Sequence, residues 1–195
     1  MKIRILLVTG NENKRREVEK ILSEYDIFVV EKAPFLKKLE IQADDLEEIA
    51  RVAIENIARA VKPMENTYIV VEDDGLFIHA LRGFPGPYSA YVYETIGLDG
   101  ILKLMEGIED RRATFRSVLG VLTPSGKIGI VQGQVDGYIA KEKRGTGGFG
   151  YDPIFIPEGQ DRTFAEMSIE EKCRVSHRAR AFRRLAEAII NGVLK

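Results

Sequence analysis

Between Ile3 and Val71 the chain runs from a buried strand through helical stretches to a second buried strand, and this order restricts the fold more than any other feature. Ile3–Val8 is a short apolar, β-branched run that breaks at Thr9-Gly10-Asn11, the pattern of a strand entering a turn. Val18, Ile21, Leu22 and Tyr25 then recur at helical spacing. Leu46, Ile49, Ala50, Ala53, Ile57 and Val61 do so again, with Asp44 or Asp45 available as N-cap. Tyr68–Val71 is the next buried strand, so this part alternates strand and helix and should form parallel sheet. Ala113–Leu122 and Lys127–Tyr138 read as two longer strands joined by Thr123-Pro124-Ser125-Gly126, whose Pro and Gly suit a type I turn. Phe182, Leu185, Ala186, Ile189, Ile190 and Val193 give a last amphipathic helix. The expected fold class is α/β, with a mixed, twisted central sheet flanked by helices. The hairpin builds a second lobe, and the active-site cleft falls between the two.

With no repeat and no linker, residues 1–195 read as one domain. A formal net charge of −1 gives no basic field to draw nucleic acid, and the apolar runs are too short to span a bilayer. Neither nucleic acid nor membrane is an expected partner. Met1-Lys2-Ile3-Arg4 leads directly into the first strand with no signal-peptide cleavage region. The single cysteine, Cys173, excludes an internal disulfide and a cysteine metal cage. The cytoplasm is the expected compartment.

Four polar clusters fall where chemistry collects in an α/β fold, beyond the carboxyl ends of parallel strands. Thr9-Gly10-Asn11-Glu12-Asn13-Lys14 opens the first helix; small residues, helix N-terminal amides and the Lys14 ammonium all favour a phosphate. The glycine spacing is not that of a Walker A loop, and a plain turn with a solvated lysine fits as well. Glu72-Asp73-Asp74-Gly75 follows the run Tyr68–Val71; three adjacent acids suit Mg²⁺ at a strand mouth, or a solvated acidic turn before a strand Leu76–Ile78. Gly145-Thr146-Gly147-Gly148-Phe149-Gly150-Tyr151-Asp152-Pro153 offers flat rings for stacking a base, with Asp152 held extended before proline, or else a flexible loop with two core aromatics. Lys172 and Ser176-His177-Arg178 precede the last helix. Ser176 is a fair N-cap, and two cations in the first turn oppose the helix dipole unless they face an anion or carbonyl. His79 reads as structural.

Together these motifs resemble the inosine triphosphate pyrophosphatase family, the HAM1-like or dITP/XTP pyrophosphatase proteins, from Thr9 to Arg178. The resemblance is carried by the clusters above together with Gly83-Phe84-Pro85-Gly86-Pro87-Tyr88-Ser89 and Thr163-Phe164-Ala165-Glu166-Met167. It implies hydrolysis of ITP, dITP and XTP to the monophosphate and pyrophosphate, Mg²⁺ dependence with Mn²⁺ as a substitute, and a homodimer. It also implies roles. Thr9, Gly10, Asn11, Glu12, Asn13 and Lys14 hold triphosphate; Glu40 and Asp73 bind metal; Asp73 accepts the proton of the attacking water, and Glu72 assists. Phe149 stacks on the purine, Gly150, Tyr151 and Asp152 line the base pocket, and Lys172, His177 and Arg178 contact base and phosphate. Gly83–Ser89 is assigned no chemistry.

Two positions depart from the family. Asp74 stands where many relatives have Ser or Thr, and Glu55 aligns with a helix lysine that several relatives place near the phosphates. An Arg178 donor on the 6-oxo group of inosine or xanthine would oppose the amino group of adenine, whereas exclusion of GTP has no counterpart in the motifs. Three rival readings are a Maf-like pyrophosphatase, a phosphohydrolase releasing inorganic phosphate and a non-catalytic nucleotide sensor. The Ser-His-Arg and Gly-Phe-Gly-Tyr-Asp motifs argue against the first. The metal-and-base set argues against the last.

Overall fold

The computed structural model describes residues 2–195. In chain order, the first half holds β1 (Ile3–Leu7), α1 (Glu12–Leu22), β2 (Phe28–Lys32), α2 (Leu46–Ala60), β3 (Thr67–Ile78), β4 (Pro85–Gly86), α3 (Ser89–Thr95) and α4 (Gly97–Leu104). The second half holds β5 (Arg112–Leu122), β6 (Ile128–Ile139), β7 (Phe155–Pro157), α5 (Ile169–Val175) and α6 (His177–Ile190). β1 runs parallel to both β2 and β3, as a strand–helix–strand order requires. From β3 onward the pairings turn antiparallel, through β5 and β6 to β7, so the sheet is mixed. The β5–β6 turn closes where expected, with Gly126 N–H donating to the Thr123 carbonyl at 2.9 Å.

The period-2 alternation of β3 assigns its side chains to two cores. Tyr68 and Val70 join β1, α1 and α6 in one cluster, which includes Val18, Ile21, Phe182 and Leu185. Ile69 and Val71 face the other way, onto Ala53, Ile54 and Ile57 of α2. A separate cluster, with Leu76, Val92, Phe115, Phe155 and Phe164, fills the second lobe around the far halves of β3, β5 and β6. No helix among the described residues is long and apolar enough to cross a membrane.

Two expectations change. β3 is one strand of 12 residues. The acids Glu72, Asp73 and Asp74 are therefore mid-strand, paired with Leu119, Val118 and Ser117 of β5, and form no turn before a separate strand. The ladder continues because β5 supplies partners along the whole length. Asp152 is not extended; it opens a 3-10 turn, Asp152–Ile154, with Pro153 in the first turn, where a missing N–H is tolerated. The last helix begins at His177, as the reading of Ser176 as N-cap requires, with the Ser176 hydroxyl accepting the Ala179 N–H at 3.1 Å.

On its other edge β3 changes partner. β1 pairs with Thr67 to Val70, and β4 pairs with Leu76 and Phe77. Between these two ladders the edge from Val71 to Gly75 has no strand beside it, and the cleft opens there. Gly75 tolerates no side chain, since a Cβ would collide with the Gly86 carbonyl. The Ser89 hydroxyl fastens this corner, accepting the Leu76 N–H at 2.9 Å and donating to the Gly86 carbonyl at 2.7 Å.

Candidate active site

The gap in the sheet edge lies beyond the carboxyl end of β1, where α1 begins. Asn11 caps α1 with its side chain, whose oxygen accepts the N–H groups of Asn13 and Lys14 at 2.9 and 3.1 Å. Thr9 steadies the turn by accepting the Asn11 N–H at 3.1 Å. Two of the amides expected to meet phosphate are thus already used, and Lys14 is left as the group of this turn with charge to offer. Two clefts meet here. One, of 570 Å³, is lined by Asn13, Phe115, Phe149, Gly150, Tyr151 and His177 among others. The other, of 740 Å³, is lined by Thr9, Gly10, Lys32, Lys37, Lys38 and Glu40 among others. Asn11, Lys14 and Ala90 line both.

The three adjacent acids are separated by the strand's own alternation. Glu72 and Asp74 face α1 and α6; Asp73 faces the opposite side. On the first side Arg178, only 1% exposed, is the hub. Its Nε donates to both oxygens of Glu72 at 2.9 and 3.0 Å, one terminal nitrogen to Glu17 at 2.5 Å, and the other to Asp74 at 3.2 Å. Lys14 pairs with Asp74 and lies 4.0 Å from Glu72. Lys172 donates to Glu17 and Asp152, each at 2.6 Å. The mismatch of the Arg178 cation with the helix dipole is resolved by these carboxylates. Burial would raise the Asp74 carboxyl, yet Lys14 and Arg178 hold it well below its ordinary value. Burial likewise opposes charge on Arg178, and Glu72, Glu17 and Asp74 push it well above.

At the aromatic end, Phe149 lies under two cations, with the Lys172 ammonium 4.7 Å and the Arg178 guanidinium carbon 5.5 Å from its ring centre. Gly148 has positive φ, and a side chain there would strike the Asp152 carboxylate, which accepts the Phe149 N–H at 2.9 Å. Tyr151 is a core residue as much as a lining one. Its hydroxyl donates to the Ser89 carbonyl at 2.7 Å, and its ring meets Tyr93 and Phe115 edge-on. His177 stacks on Phe115 at 4.4 Å with the planes 8° apart, and neither ring nitrogen has a hydrogen-bond partner. A buried polar ring without partners at the wall of a cleft is poised for a ligand.

Burial lowers the His177 pKa below 6.5 despite Asp74, so the imidazole is neutral at physiological pH. A depressed value means stability that is present above the unfolded-state pKa and lost as pH falls through the folded-state one. The melting temperature of the wild type should therefore drop more steeply from about pH 6.5 to about pH 5 than that of His177→Phe, which keeps the stack without the titration. Parallel profiles for the two proteins would show that His177 carries no such linkage.

On the opposite face of β3, Asp73 is half-buried. Its Oδ1 accepts from Lys38, and its Oδ2 is buried with no partner. Burial raises its pKa, with Lys38 and Lys14 opposing and Glu40 adding to the shift. Glu40, a surface acid with its side chain 72% exposed, lies 3.4 Å from the same Lys38 ammonium. No group of three or more His, Cys, Asp or Glu side chains arranged to hold a metal ion exists among the described residues. The residues do fit Mg²⁺, which takes one or two carboxylates and leaves its other positions to phosphate and water. An orphaned carboxylate oxygen and an ammonium bridging two acids together describe an oxygen-lined cation seat.

Most of the residues singled out by sequence converge here. Thr9, Gly10 and Glu40 line the cleft that also holds Lys38; Asn13, Asp74, Phe149, Gly150, Tyr151, Asp152, Lys172, His177 and Arg178 line the aromatic one. Glu72, expected to assist catalysis, is bound to Arg178 and to the Ser117 hydroxyl at 2.7 Å. Glu12 turns away, pairing with Arg15 and Lys32 at 2.9 and 2.5 Å, and lines neither cleft. Glu17, Lys38 and Phe115 were missed. Glu17 had a signal: an acid one helical turn before Ile21 sits on the apolar stripe of α1 and needs a buried partner. Lys38, in an irregular segment, had none.

The model of the Ham1 family matches residues 5–188. Over 191 residues the chain is 51% identical to a dITP/XTP pyrophosphatase of Methanopyrus kandleri, covering 98% of each protein. It is 50% identical over 187 residues to one of Pyrococcus horikoshii, covering 95% of this chain and 96% of that protein. Among solved structures, the Ham1 protein of Staphylococcus aureus superposes with a TM-score of 0.78 at 30% identity, covering 97% of this chain and 98% of that one. A nucleoside-triphosphatase / dITP/XTP pyrophosphatase of Mycobacterium abscessus gives 0.67 at 32% identity, covering 94% and 97%. Motifs, sheet order and site all run through the matched span, and the chain belongs to the Ham1 family.

Proposed function

We infer that this chain is a nucleoside-triphosphate pyrophosphatase, hydrolysing ITP, dITP and XTP to the monophosphate and pyrophosphate. Relatives about half identical over nearly the whole chain carry the name dITP/XTP pyrophosphatase. The structural observation that carries the reading is the donor character of the base end. Arg178 has five N–H groups, three of them spent on Glu72, Glu17 and Asp74, which leaves two. Lys172 has one N–H beyond those given to Glu17 and Asp152. Donors pinned by buried acids cannot turn into acceptors. A 6-oxo purine satisfies them, while the amino group of adenine would leave them unpaired.

The base enters over Phe149 and the phosphates extend past Lys14 into the second cleft. Mg²⁺ held by Asp73 and Glu40 would neutralise phosphate charge and orient the attacking water. Asp73 takes the proton of that water, a task suited to a carboxyl whose proton affinity burial has raised. Attack at the α-phosphorus breaks the anhydride bond to the β-phosphate, and Lys14 meets the charge of the departing pyrophosphate. A homodimer and a cytoplasmic location accompany the proposal, the first from the family resemblance and the second from the single, buried, unpaired Cys173.

The test is a product assay on ITP, XTP, GTP and ATP, with and without Mg²⁺. The expected result is pyrophosphate release from ITP and XTP, abolished by exhaustive EDTA and restored by Mg²⁺ or Mn²⁺. Orthophosphate as the product, or full activity in EDTA, would refute the reaction or the metal respectively.

A further inference from the structure

Lys38 belongs to the irregular segment between β2 and α2, yet its side chain is only 15% exposed. Its ammonium touches Asp73 Oδ1, lies 3.3 Å from the Glu72 carbonyl oxygen, and is 3.4 and 3.5 Å from the two oxygens of Glu40. These four contacts are all oxygens, and three of them belong to the two carboxylates that the proposed function gives to the metal. Among the described residues it is the cation hydrogen-bonded to Asp73. Glu55, aligned with the helix lysine of several relatives, points outward from α2 and pairs with Arg59 at 3.8 Å. The cation beside the metal acid comes from a different element in this chain.

We propose that Lys38 is a resident counter-ion of the metal seat, which keeps free divalent cations out and yields when the metal arrives with nucleotide. A free metal ion entering between Asp73 and Glu40 would meet a positive charge on their shared oxygens, and it offers Lys38 no new partner. A metal–nucleotide complex brings phosphate oxygens to which the displaced ammonium can turn, within a cleft that Lys38 already lines. Metal and nucleotide affinities are thereby coupled through one side chain. The inference rests on Asp73 and Glu40 being the metal ligands, so its test must separate the two claims.

The measurement is Mn²⁺ binding to the nucleotide-free protein, by titration calorimetry or electron paramagnetic resonance, in the wild type, Lys38→Met, Asp73→Asn and the double variant. Removing a positive charge within a few ångströms of the seat should tighten Mn²⁺ binding by roughly tenfold or more. Lys38→Gln should behave like Lys38→Met, and Lys38→Arg like the wild type. A lysine with a merely structural role would not produce tighter metal binding on removal. Equal or weaker Mn²⁺ binding by Lys38→Met, with binding still lost in Asp73→Asn, overturns the counter-ion and leaves the metal site standing. Binding unchanged by Asp73→Asn, in either background, overturns the metal site itself and the counter-ion with it.

Discussion

Asp73→Asn is expected to lower turnover of ITP by at least ~10²-fold, the scale of losing a general base, while the protein stays folded. The substitution keeps the shape of the side chain and the backbone pairing with Val118 on β5, so no ladder bond is lost. An amide oxygen can still accept from Lys38, whereas the charge and basicity of the carboxylate are gone. Asp73 stands apart from the Arg178 network because alternation aims it at the other face of β3, so the loss should not spread to the base end. Steady-state kinetics with ITP and a melting curve distinguish the outcomes. Turnover near that of the wild type would remove Asp73 from catalysis. A collapsed melting temperature would mean that it is structural.

Arg178→Ala should have the largest effect on the fold. The guanidinium is the shared partner of Glu17, Glu72 and Asp74, and its loss leaves three carboxylates facing one another with only Lys14 and Lys172 to answer them. Breaking a buried ion network by removing one partner costs roughly 3–5 kcal/mol, a large part of the ~5–15 kcal/mol that holds a domain together. At about 2–4 °C per kcal/mol for a chain of this size, the melting temperature should fall by about 10 °C. Substrate selectivity in Arg178→Ala is therefore not a clean reading of base recognition. The decisive comparison is Arg178→Met against Arg178→Met with Glu72→Gln. Removing the stranded acid should restore part of the lost stability, a coupling visible only in the double variant. Equal melting temperatures for the single and double variants would show that Glu72 and Arg178 do not interact as the geometry states.

The parts of this molecule legible in the sequence are those set by local chemistry. Apolar runs gave β1 and the first half of β3, helical spacing gave α1, α2 and α6, and Thr123 to Gly126 gave the hairpin turn. What local chemistry misjudged was decided by distant partners. Charged residues rarely continue a strand, so Glu72 to Asp74 looked like a strand end. Their partners on β5 and the cations from α1, α6 and the Lys38 segment are separated from them by tens of residues. β2 is too short and too charged at its end to stand out, and it forms because β1 offers it an edge. The site residues were found as motifs. Their pairing was not, because nothing in the order of the chain says that Lys172 and Arg178 share Glu17.

β3, β5 and β6 each run without interruption from one hydrophobic core into the other. A joint between two bodies normally consists of a few loose residues, and here the joint is three hydrogen-bonded strands side by side. Opening the cleft therefore means flexing a sheet, whose stiffness is shared across every rung of two ladders, and the travel available is small. Recognition in such a molecule works by fit to a nearly fixed template.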